Sequence, residues 1–165
     1  MRIFLLRHGI AADVSAGGPR TDEERPLTAE GREVMHTACK SYVRHVSTPE
    51  RIISSPLLRA RQTAEILSQA VNYQGVIEQV ADLEPGARPT SILNFLQGEA
   101  LEGLGSVVLV GHEPHLGSLL GLLLTGLEQV SLPLQKGMIS GVDIPHPQSM
   151  LGRMVLCLSS KSTRA

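Results

Sequence analysis

Ile3-Phe4-Leu5-Leu6-Arg7-His8-Gly9 sets four apolar residues directly ahead of an arginine, a histidine and a glycine. An apolar run this short, ended by polar residues, predicts a strand buried on both faces. Gly9 to about Arg25 follows, rich in Gly, Ser and Asp. It is longer than most connections in compact domains, so it reads as a functional loop, with Gly17 and Gly18 as the flexible points of a lid.

The same grammar recurs downstream. Arg51-Ile52-Ile53-Ser54 is a second short strand, and Val107-Val108-Leu109-Val110 is the clearest buried strand of the chain. Amphipathic segments separate them. Thr28 is placed to cap a helix whose buried stripe is Val34, Met35, Ala38, Cys39, Tyr42, Val43 and Val46, with Glu33, His36, Lys40 and Arg44 on its wet side. Further helices are expected over Leu57–Val71, Thr90–Leu101 and from Pro114, suited to a first helical turn, to about Leu124. A weaker strand is expected over Val76–Val80, and two more near Gly137–Ile144 and Met154–Ser159. The Pro145-His146-Pro147 turn joins this last pair as an antiparallel hairpin. Strands alternating with helices predict an α/β fold. The expected form is a three-layer α/β/α sandwich, with a mostly parallel central sheet and an antiparallel C-terminal strand. Residues 1–165 show no repeat or linker and are expected to form a single domain.

Composition removes several functional classes. Fifteen basic and sixteen acidic residues leave a formal charge of −1, and only 2% of the chain is aromatic, with no Trp. A nucleic-acid binder would carry a basic excess and stacking platforms, so no nucleic-acid partner is expected. The longest apolar stretch, Leu116 to Leu127, is about a dozen residues and interrupted by glycine, too short to span a bilayer. The four apolar residues before Arg7 are too few for a signal peptide. The expectation is a cytoplasmic protein without a membrane partner. Cys39 and Cys157 form no C-x-x-C pair and read as small buried hydrophobes in a reducing compartment.

The polar residues carry the function. Arg7-His8-Gly9 follows the first strand, Ser54-Ser55-Pro56-Leu57-Leu58-Arg59 the second, and Gly111-His112-Glu113-Pro114 the strand at Val107–Val110. All three segments leave carboxyl ends of strands, where open α/β sheets bind ligands. Two arginines and two histidines on one edge suit a phosphoryl group. Guanidinium forks hold phosphate oxygens by charge-assisted pairs, and helix N-termini add backbone N–H donors. Gly9 lets the backbone approach the phosphate closely. A neutral imidazole can attack phosphorus and form a covalent phosphohistidine, while a cationic second histidine would offset charge on the group in transfer. Arg59 stands in a first helical turn, where cations are disfavoured unless an anion binds. Ser54 and Ser55 can donate to phosphate or cap the helix. His112 and His115 lack a third ligand at metal-binding spacing, so no metal is expected and His115 reads as a helix-surface or rim residue. His36 and His45 read as solvated.

Leu6-Arg7-His8-Gly9 resembles the signature of the histidine phosphatase superfamily, the phosphoglycerate mutase-like proteins. Ser54-Ser55-Pro56-Leu57-Leu58-Arg59-Ala60-Arg61-Gln62-Thr63-Ala64 resembles its second motif and Gly111-His112 its third. Arg25-Pro26-Leu27-Thr28-x-x-Gly31 is similar to the start of its first helix. The resemblance implies a phosphoglycerate mutase-like fold and His8 as nucleophile. Arg7, Gly9, Arg59 and His112 would make the phosphate pocket, with no cofactor. Larger members carry an insertion with a glutamate general acid, whereas only about fifty residues separate Arg59 from His112 here. The short form resembles the SixA-like phosphohistidine phosphatase branch and leaves no room to enclose a mutase's bisphosphate. Glu84 lies in the matching region and is the first candidate for the acid, with Asp82, Asp22 and Glu23 as competitors. The expected partner is a phosphate-bearing substrate, such as the phosphohistidine of a histidine-phosphotransfer domain. The alternatives are a small-molecule phosphomonoesterase or a catalytically idle phosphate-binding signalling module. A monomer is the default expectation.

Overall fold

A computed structural model describes residues 1–98, 105–145 and 151–161. Its strands are β1 (Arg2–Arg7), β2 (Arg51–Ser54), β3 (Ile77–Gln79), β4 (Ser106–Gly111), β5 (Ile139–Asp143) and β6 (Arg153–Leu158). Its helices are α1 (Ala29–Tyr42), α2 (Leu58–Ala70), α3 (Pro89–Gly98) and α4 (His115–Thr125). The sheet order is β3-β2-β4-β1-β5-β6. The first four run parallel, and β5 pairs antiparallel with β1 and with β6. The last residues of the expected third helix, and the hairpin turn beyond Pro145, lie outside the described residues.

Side-chain alternation along the buried strands builds the two cores. Ile3, Leu5, Val107 and Leu109 pack with Ile92 and Leu96 of α3 and Leu116 and Leu119 of α4. Phe4, Leu6, Val108 and Val110 face the other way, onto Met35, Ala38 and Cys39 of α1 and Ala64 and Leu67 of α2. The sheet is thus the middle of the three expected layers. Each of the large β1 side chains contributes about 1.5–3 kcal/mol by leaving water.

Thr28 caps α1 as expected, its Oγ1 accepting from Gly31 N at 2.9 Å. The helix ends sooner than its apolar period. Val43 is its C-cap and is exposed, Val34 is only half-buried, and Val46 is buried in the turn beyond. Gly31 is obligatory for space, because a Cβ there would lie 2.1 Å from the carbonyl oxygen of Ile10. Cys39 is buried as expected but Cys157 is exposed, because β6 is the edge strand and most of its residues face solvent. Among the described residues no helix is long and apolar enough to cross a membrane.

Candidate active site

Backbone hydrogen bonds bring the three polar segments together. His8 N donates to Gly111 O at 3.1 Å and Ser55 N to Val110 O at 2.9 Å, so the end of β4 joins the segments leaving β1 and β2. On the far side of β1, Gly137 N donates to the carbonyls of both Arg7 and His8, each at 3.1 Å. Gly137 has φ +74°, a conformation that favours glycine. Tyr42 Oη holds the Gly137 carbonyl from α1 at 2.7 Å. The strand end carrying His8 is therefore braced on both sides.

His8 is buried, 6% exposed, and its Nδ1 lies 2.7 Å from its neighbour's carbonyl, Gly9 O. A carbonyl only accepts, so Nδ1 carries the proton and Nε2 keeps its lone pair. Burial pushes the imidazole down to about 3. The Gly9 bond opposes the shift, while Arg59, Arg7 and Lys136 add to it. His8 is neutral at physiological pH, as a nucleophile must be. Gly9 is fixed in turn, its N–H donating to Thr63 Oγ1 at 3.1 Å.

His112 lies beside it, ring centroids 5.0 Å apart. Its Nε2 is 2.8 Å from Ser55 Oγ, which also accepts from Leu57 N at 3.3 Å. Ser55 thus touches the site and satisfies the start of α2 together, whereas Ser54 Oγ donates to Ser55 O. Burial works against the cationic form of His112 that the sequence allowed. Burial, then His8 and Arg59, hold it down to about 2, against a weaker opposing pull from Asp22. Its capability here is that of a neutral hydrogen-bonding imidazole.

Arg59, 4% exposed, reaches back from the first turn of α2. Its Nη1 donates to Asp22 O at 2.6 Å and its Nη2 to Asp22 Oδ2 at 2.8 Å. Arg25 holds the other carboxylate oxygen of Asp22 at 2.8 Å, so the loop ahead of α1 is pinned over the site by one aspartate between two guanidiniums. Arg7 donates from Nη1 to Leu134 O at 2.7 Å. Arg7 Nε and His112 Nδ1 are buried without a hydrogen-bond partner. They share that state with both ring nitrogens of His115 and with Ser140 Oγ, and a phosphoryl oxygen reaching Arg7 Nε or His112 Nδ1 would satisfy it.

The carboxylates considered as general acid separate by position. Arg25 first, and then Arg59, hold the Asp22 carboxyl below the usual carboxylate range, and hydrogen bonds from Thr21 and its own backbone do the same for Glu23. Both stay ionised. Glu84 is half-buried at the end of a 3-10 turn (Ala81–Leu83), and the Leu83 carbonyl of that turn lies against Gly111. Among the described residues no hydrogen bond or ion pair joins Glu84 to His8, Arg7, Arg59 or His112. Asp82, in the same turn, acts on His115 instead. His115 is buried, 3% exposed, rather than on the helix surface or rim: it opens α4 from the inside. His36 and His45 are exposed. Among the described residues no three His, Cys, Asp or Glu side chains cluster closely enough to hold a metal ion.

Thr63, Glu113 and Leu134 shape the site without having been singled out for it, and Asp22, considered only as an acid, is instead the partner of Arg59. Thr63 had a readable signal. It stands one helical turn after Arg59, and its Oγ1 donates to Arg59 O at 2.7 Å. The others act through contacts far apart in sequence.

Comparison with known proteins supplies the context. Residues 3–84 match the model of the histidine phosphatase superfamily, branch 1. The chain is 32% identical over 126 residues, 76% of each sequence, to phosphohistidine phosphatase SixA of Escherichia coli K12. It is 30% identical over 130 residues to a SixA homolog of Haemophilus influenzae, covering 74% of this chain and 77% of that one. Among solved structures, the protein histidine phosphatase SixA complexed with tungstate superposes with a TM-score of 0.87 at 27% identity, over 99% of this chain and 100% of that one.

Proposed function

The chain belongs to the histidine phosphatase superfamily and is a phosphatase, and from that premise we propose that it dephosphorylates phosphohistidine on other proteins through a covalent phosphohistidine at His8. The observation that carries this reading is the state of His8. Its Nδ1–H is bound to Gly9 O, and its Nε2 lone pair is held neutral among Arg7, Arg59 and His112.

In the first step Nε2 of His8 attacks phosphorus in line while the bond from phosphorus to the substrate imidazole breaks. Arg7, Arg59 and the neutral His112 hold the three equatorial oxygens, and the Gly9 carbonyl steadies positive charge gathering on the His8 ring. Water then attacks the phosphohistidine and releases inorganic phosphate. The departing imidazole takes up a proton, from Glu84 in this reading or from water. An imidazole asks less of that donor than an alkoxide does. Asp22 and Glu23, held ionised, are poor donors at neutral pH. A phosphoramidate substrate suits this set better than an alkyl phosphate. The partner would be a phosphohistidine-bearing protein such as a histidine-phosphotransfer domain, met by a monomeric enzyme in the cytoplasm.

Competing turnover tests the substrate class. A phosphohistidine protein, a phosphoserine peptide and a sugar phosphate are offered to the same preparation, and phosphohistidine should be cleaved with the highest kcat/KM. Faster cleavage of either alkyl phosphate would reassign the enzyme to phosphomonoesters.

A further inference from the structure

Glu113 follows His112 directly, yet its carboxylate does not turn toward His8. Its Oε1 accepts from Leu134 N at 3.0 Å, and Leu134 O accepts from Arg7 Nη1 at 2.7 Å. One buried residue, Leu134, therefore presents its N–H to a carboxylate and its C=O to a guanidinium. Its side chain is anchored in the core beneath α4. The surrounding segment, between α4 and β5, has no helix or strand of its own; the bonds of Gly137 hold its far end, and around Leu134 these two bonds and Leu132 N to Gly117 O at 2.9 Å hold it. The carboxylate has a prepared seat as well. A Cβ on Gly117 would lie 2.7 Å from Glu113 Oε2, so the bare α-carbon of α4 leaves room for that oxygen.

We propose that Glu113 is a positioning residue for Arg7: by fixing Leu134 it commits Nη1 of Arg7 to the Leu134 carbonyl and leaves the Nε edge of the guanidinium facing the phosphoryl group. Arg7 Nε is a buried donor without a partner. A fork docks bidentately only when its plane is set, and a misplacement of about 1 Å near the reacting atoms can cost roughly a hundredfold in rate. The carboxylate of Glu113 also opposes the desolvation that burial imposes on Arg7. The inference rests on Arg7 as a phosphate ligand, and Glu113 itself touches no substrate.

The probe is tungstate binding by titration calorimetry, on wild type, Glu113→Ala, Glu113→Gln, Arg7→Ala and the double variant Glu113→Ala/Arg7→Ala. Glu113→Ala should weaken tungstate roughly tenfold or more, while Glu113→Gln, whose amide oxygen still accepts from Leu134 N, should stay within about threefold of wild type. In the Arg7→Ala background the Glu113→Ala loss should vanish, because there is no guanidinium left to aim. A general loosening of the fold would persist in that background. If Glu113→Ala fails to fold, Glu113→Asp, a methylene short of Leu134, takes its place with the same expected loss. An unchanged affinity in Glu113→Ala, or a loss that survives without Arg7, overturns the relay alone. An unchanged affinity in Arg7→Ala overturns both the relay and the phosphate-site reading beneath it.

Discussion

Acid should unfold this protein through its own site. His8 and His112 are 6% and 2% exposed and held neutral, at about 3 and about 2. In the unfolded chain each imidazole returns to about 6.5. Below that pH the unfolded state binds more protons than the folded one, so the contribution to stability is complete above 6.5 and falls as pH drops toward 3. Both folded values lie below 5, so the loss between about pH 7.5 and about pH 5 depends only on the unfolded value. One and a half units at about 1.4 kcal/mol per unit gives about 2 kcal/mol for each histidine and about 4 kcal/mol for the pair. That is a large part of the 5–15 kcal/mol typical of a folded domain. The assay is urea unfolding of wild type, His8→Asn, His112→Asn and the double variant at the two pH values. Each single variant should flatten the pH dependence by about 2 kcal/mol and the double variant by about 4 kcal/mol, whatever its stability at neutral pH. A double variant that loses as much stability on acidification as wild type would refute the claim that these imidazoles are buried and neutral.

Other perturbations address the rest of the site. Arg59→Ala should lower kcat/KM by roughly 10²–10³-fold, and Arg59→Lys should recover little, since an ammonium cannot reproduce the fork; steady-state kinetics check this. Asp22→Asn removes a half-exposed negative charge 2.8 Å from that guanidinium. An exposed pair of this kind amounts to about 0.5–1 kcal/mol, so tungstate should bind roughly two- to fivefold tighter by calorimetry. Weaker binding would show instead that Asp22 aims Arg59. Gly31→Ala forces a methyl onto the backbone carbonyl of Ile10 and should cost about 1–3 kcal/mol, read as a Tm lowered by roughly 2–12 °C.

How far the sequence discloses the molecule follows from the range of the interactions. β1, β2 and β4 are legible because a strand buried on both faces needs a continuous apolar run, and Ile3–Leu6, Ile52–Ile53 and Val107–Val110 supply one. Their polar successors necessarily share an edge once the strands are parallel, which brings His8, Arg59 and His112 together. The end of α1 is not legible from periodicity, since Val46 keeps the apolar rhythm and is buried although the helix has already stopped. Cys157 misleads because burial of a strand residue depends on its place in the sheet, and β6 is an edge. His115 misleads because α4 is buried at its start. Asp22 with Arg59, Glu113 with Leu134 and Leu134 with Arg7 are 37, 21 and 127 residues apart, and no local pattern announces pairs made by tertiary packing.

The central claim, a covalent phosphohistidine at His8, is tested by trapping it. The protein is mixed with a labelled phosphohistidine protein, quenched within one turnover and assayed for phosphoenzyme. A label stable to base, labile to acid and absent from His8→Ala is the predicted result. Label retained in His8→Ala, or none trapped from an enzyme that turns over the same donor, would contradict it.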